Sequence, residues 1–81
     1  MKKQETDKLY NHIFYALLWQ KSIIDVGYEA KSLLNGVSML HLSGILSEKD
    51  FTNMNAFIIG LAEDRIKELS YERLNKDNEK V

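Results

Sequence analysis

The chain predicts an all-α fold. It is expected to form a small antiparallel helical bundle with a long N-terminal helical segment, a short central helix and an amphipathic C-terminal helix. Three observations carry this. Apolar residues recur at spacings of three and four over most of the 81 residues. No pair of segments alternates with period two, so the one run that could be a strand, Val37–Leu46, has no strand to pair with. Proline is absent, and the clearest punctuation is a set of glycines and serines between apolar runs.

Residues 1–5 are polar and read as a frayed tail. Thr6 or Asp7 is placed to cap the first helix. Leu9, Ile13, Ala16, Leu17, Gln20, Ile24 and Tyr28 then follow near one side at helical spacing. Tyr10, Phe14, Trp19 and Ile23 widen that surface beyond one stripe, as in a helix touched by two partners. Gly27 is the first candidate break, and Asn35-Gly36 is the stronger one. Uninterrupted at Gly27, the first segment covers about 28 residues, or roughly 42 Å. That length is large for so small a chain and suggests that a second chain covers part of its apolar surface. Without Asp, Glu, Lys or Arg, Val37–Leu46 reads as a short buried helix capped near Ser38 and surrounded by other helices.

The junction Leu42–Phe51 organises the rest. Gly44 suits the left-handed conformation that ends a helix. Ile45 and Leu46 are placed to fill the corner. Ser47 caps the next helix, Asp50 stands three places on as a short capping partner, and Phe51 begins the core. Phe51, Met54, Ile58, Leu61, Ala62, Ile66 and Leu69 form the most regular stripe in the chain. Gly60 is a candidate for a close helix crossing, and Glu63 with Lys67 for an i,i+4 ion pair. Residues 75–81 read as a second polar tail, so a single helical domain spans 1–81.

Composition narrows function. With no cysteine, disulfides, thiolate metal sites and cysteine nucleophiles are excluded. His12 and His41 form no ligand spacing, and each reads as a core-boundary residue. Glu63, Asp64, Glu68 and Glu72 lie among Arg65, Lys67 and Arg73 and read as a solvated mixed-charge face; Asp25 and Glu29 alone make no metal signature. None of the serines sits in a nucleophile elbow, and Gly36, Gly44 and Gly60 form no phosphate-binding loop. The chain is therefore expected to be no enzyme and to hold no cofactor or metal.

A net charge of -1 supplies no general field for nucleic acid. A helix-turn-helix around Gly44 is a competing reading, with Asn53 and Asn55 as possible base readers. Glu48 and Asp50, however, would face phosphate at the start of its recognition helix. Leu9–Ile24 is interrupted by Asn11, His12, Gln20 and Lys21 and is too short to span a bilayer; the start of the chain lacks a signal-peptide pattern. A cytoplasmic protein without membrane attachment is expected.

Protein binding is the remaining positive reading. Tyr10, Phe14, Trp19 and Tyr28 are candidate interface anchors, with Tyr71 and Arg73 as a second patch near the last turns. A protein partner and a homodimer are the expected partners.

The run Ser43-Gly-Ile-Leu-Ser-Glu-Lys-Asp-Phe51, with Asn53, Met54 and the stripe beyond, resembles the junction of short bihelical oligomerisation modules of the SHOCT type. It is similar also to tiny proteins of phages and other bacterial mobile elements. The resemblance covers about a fifth of the chain. It implies assembly or protein interaction rather than catalysis. A mobile-element origin would imply an alternative, inhibition of a host protein by occupying its partner surface.

Overall fold

A computed structural model describes residues 1–79, with side chains through Leu74. Three helices occur among the described residues: α1 (Lys3–Leu18), α2 (Ile23–Leu42) and α3 (Glu48–Glu79). No strand occurs among the described residues, and the all-α antiparallel bundle is the observed architecture. Two contacts fix the directions. The N-terminal ammonium of Met1 donates to the carbonyl of Ile45 at 3.4 Å, which sets the start of α1 beside the α2–α3 corner. At the other end Arg65 of α3 reaches the carbonyl of Gln20 in the α1–α2 turn. So α1 and α3 run in parallel and α2 runs against both.

The helix boundaries differ from those read in the sequence. The α1 helix starts at Lys3, four residues before the expected region of Asp7. Thr6 lies inside it, and its hydroxyl donates to the Lys2 carbonyl at 3.1 Å instead of capping. The first break falls at residues 19–22, not at Gly27 or Asn35-Gly36, both of which are helical. Ser22 is the missed cap: its Oγ accepts from the Asp25 N–H at 3.2 Å. Ser38 lies within α2 and caps nothing. Helical geometry persists through Asn35-Gly36 because the flanking Leu33, Leu34, Val37 and Leu40 pack in or against the core. Their burial outweighs a glycine penalty of about 1 kcal/mol.

Ser22–Asp25 and Ser47–Asp50 are the same device used twice. Ser47 Oγ accepts from the Asp50 N–H at 3.1 Å, and the Ser47 carbonyl accepts from the Phe51 N–H at 2.9 Å. Each cap satisfies a backbone donor that a helix start leaves open. Ser47→Ala and Ser22→Ala are each expected to cost about 1 kcal/mol in chemical unfolding. A loss below roughly 0.2 kcal/mol would show that the serine does not act as a cap.

The corner before Ser47 is a Schellman turn. Gly44 has φ +81°, the Gly44 N–H donates to His41 and the Ile45 N–H donates to Leu40, both at 3.0 Å. Leu46 is buried and plugs the corner, whereas Ile45 stays 47% exposed. The His41 ring stacks on Phe51, with centroids 4.3 Å apart and planes 10° apart. Its Nδ1 lies 3.3 Å from the Leu46 carbonyl. His41 therefore ties the last turn of α2 to the first turn of α3.

The core takes Ile13 and Leu17 from α1, Val26 and Val37 from α2, Leu46 from the corner, and Met54, Ile58, Ala62 and Leu69 from α3. All seven positions of the α3 stripe pack in or against it. Gly60 does not mark a close crossing: a Cβ there would meet nothing within 4 Å. The expected tails take helical backbone from Lys3 onward and through Glu79; residues 80 and 81 lie outside the described residues. Past Leu69 α3 continues for ten residues, about 15 Å of helix, and its described positions there are not buried.

Candidate functional site

The six interface candidates separate into different environments. Tyr10 packs edge-on against Phe57, with centroids 4.9 Å apart. Burial, and secondarily the Asp50 carboxylate, push its phenol above the ordinary value. Tyr10 thus sits at the core edge, between α1 and α3. Phe14 stands edge-on to Tyr15 at 5.3 Å and, with Leu17, Leu18 and Leu61, lines a groove of about 160 Å³ between α1 and α3.

Trp19 caps the C-terminal end of α1 and keeps 73% of its surface open. It shares a shallow depression with His12, Tyr15 and Ala16. Tyr28, 72% exposed, lies on α2 in a separate depression with Ile23, Ile24, Gly27 and Lys31. Tyr71 and Arg73 are exposed on the part of α3 that extends past the core, where Tyr71 adjoins Ile66, Ser70 and Leu74. The structure does not gather these residues into one site.

What it does reveal is the outer face of α2. The expected stripe carrying Gln20, Ile24 and Tyr28 on from α1 does not exist, because the chain turns at 19–22. Ile24 and Tyr28 instead begin a new stripe facing away from the bundle. It continues through Lys31, Asn35 and Met39 to Leu42, all exposed, at spacings of three and four. Leu42 is 80% open and Met39 is 66% open. On the opposite side Val26, Ala30, Leu33, Val37 and Leu40 meet the core. So α2 is apolar on two faces, and it is the most hydrophobic of the three helices.

One signal could have located this face: between Lys31 and Glu48 no residue is acidic or carries Lys or Arg. The central segment was expected to be surrounded by helices, but within one chain its outer half is uncovered. Beside it, Leu9, His12 and Ile13 of α1 and Ser32, Gly36 and Leu40 of α2 border a groove of about 400 Å³. Gly36 leaves that groove open, since a Cβ there would meet nothing within 4 Å.

The charged residues do not converge. Among the described residues the ion pair formed on α3 is Arg65–Glu68 at 2.9 Å, not Glu63–Lys67. Arg65 is not part of a solvated face: its side chain is 13% exposed and is held by the Gln20 carbonyl. No group of three or more metal-binding side chains occurs among the described residues. The two asparagines considered for base reading diverge. Asn53 is exposed, while Asn55 turns a buried Oδ1 inward with no hydrogen-bond partner. No described helix is long and apolar enough to cross a membrane.

Set against protein-family models, curated proteins and solved structures, the chain finds no match in any of the three comparisons.

Proposed function

We propose that this chain is a non-catalytic protein–protein interaction module that self-associates. The observation that carries the reading is the uncovered apolar face of α2, from Ile24 to Leu42, on a helix whose other side already builds the core. Scattered exposed apolar residues are ordinary. Four large ones on one unpartnered helix face, Ile24 and Tyr28 toward one end and Met39 and Leu42 toward the other, make the pattern of an interaction surface. Trp19 adds an aromatic anchor at the end of α1. The charge balance favours no polyanionic partner, and the start of α3 presents Glu48 and Asp50 where a DNA-reading helix would need to tolerate phosphate.

Light scattering at micromolar concentration is expected to give about twice the 9.4 kDa chain mass. A mass equal to one chain up to several hundred micromolar would remove self-association from the reading.

A further inference from the structure

We propose that the outer face of α2 pairs with the same face of a second copy, antiparallel, about a two-fold axis level with the middle of the stripe. This rests on the self-association reading and specifies its surface and register. The stripe Ile24, Tyr28, Lys31, Asn35, Met39 and Leu42 has nearly the same spacing read in either direction. Turned end for end, Ile24 lies beside the partner's Leu42, and Tyr28 lies beside the partner's Met39. Lys31, the charged member, lies beside the partner's Asn35, whose amide oxygen accepts a hydrogen bond from an ammonium.

Parallel pairing fails on the same residues. It sets Lys31 directly against the partner's Lys31 with no acceptor opposite, whereas the antiparallel register offsets the two ammonium groups by about 6 Å along the axis and gives each an Asn35 acceptor. The contact is isologous, so it closes at a dimer and leaves no repeat of the surface exposed.

The area agrees with a second copy as the occupant. Ile24, Tyr28, Met39 and Leu42 each keep 66% or more of their surface open. Together they offer on the order of 500 Å² per copy, and the flanks of a contact about 27 Å long raise this toward the ~800 Å² per partner of a standard interface. A membrane surface is the poorer occupant. Interfacial helices border their apolar face with several Lys or Arg, and α2 carries Lys31 alone beside the acidic Asp25 and Glu29. In the dimer, α2 becomes the central helix that its two apolar faces require.

The test uses the full chain, whose lack of cysteine makes introduced thiols unambiguous reporters. Leu42→Glu, at a position 80% exposed, is expected to keep the helix content by circular dichroism. It is expected to weaken the dimer on the order of 100-fold in sedimentation, because each carboxylate enters an apolar contact. Ile24→Cys/Leu42→Cys is expected to oxidise to a covalent dimer on a non-reducing gel. Ile24→Cys alone is expected to stay at chain mass, since its copy lies about 27 Å away along the paired helices. A wild-type dimer unaffected by Leu42→Glu would overturn this surface and leave self-association through another, and one cross-linked through Ile24→Cys alone would overturn the antiparallel register. A monomeric wild type would overturn both.

Discussion

Ile58→Ala is expected to destabilise the fold by about 3–4 kcal/mol, the largest effect of any single substitution considered for this chain. Ile58 is fully buried in the first half of α3, among core residues from all three helices. Truncation removes three carbons of packed side chain and leaves a void that rigid helices close only in part. An 81-residue domain has roughly 4–12 kcal/mol of folding stability in total, so the variant would sit near the edge of folding. The neighbouring Ile59 supplies the control. It is 48% exposed, and Ile59→Ala is expected to change stability by less than about 1 kcal/mol. Urea unfolding followed by circular dichroism distinguishes the two. Trp19 fluorescence is the weaker probe, because that indole is already largely in solvent. Equal losses at 58 and 59 would contradict the orientation of α3.

Arg65→Met is expected to cost about 1.5–3 kcal/mol, the range for hydrogen bonds made by a charged group. Arg65 Nε and Nη2 donate to the Gln20 carbonyl at 3.2 and 2.9 Å, and Nη1 donates to Glu68 Oε2 at 2.9 Å. Methionine keeps much of the stem packing and removes the fork. The loss should arise mainly at Gln20: Glu68 is 59% exposed, and solvent screens that pair to a small contribution. Glu68→Ala is accordingly expected to change stability by no more than about 0.5 kcal/mol. Arg65→Lys restores charge but not the two-pronged contact, and should recover only part of the loss. Amide hydrogen exchange adds a local readout, since residues 19–22 should lose protection before the α3 core does. If Arg65→Met and Glu68→Ala proved equally mild, the clasp on the α1–α2 turn would not hold the bundle together.

Legibility followed the range of the interactions. The Gly44 corner and the Ser47 cap could be read because their determinants lie within ten residues and act through the backbone. The same Ser-x-x-Asp pattern at Ser22 is equally local, but the helical spacing of Leu17, Gln20, Ile24 and Tyr28 carries an apparent stripe straight across it. Gln20 falls at a stripe position by spacing, yet it lies in the turn just past the end of α1. Its side chain donates to the Ala16 carbonyl at 3.0 Å and its own carbonyl is taken by Arg65, 45 residues away. No local pattern announces that contact. For the candidate site, Trp19 and Tyr28 were named from chemistry alone. Met39 and Leu42 carry no such mark, because the uncharged segment that holds them has the pattern of an enclosed helix although both are exposed.

By itself the sequence determined the helical class, the α2–α3 corner and the core stripe of α3. Periodicity and capping act within a few residues and need no partner. Only the tertiary structure decided where α1 stops, that α2 passes through Gly27 and Asn35-Gly36, and which side of α2 faces out. The reason is energetic. A glycine in a helix costs about 1 kcal/mol, which is less than a single large apolar side chain gains on burial. Packing against α3 therefore overrides the local break signals and leaves the second apolar face of α2 without a partner in its own chain.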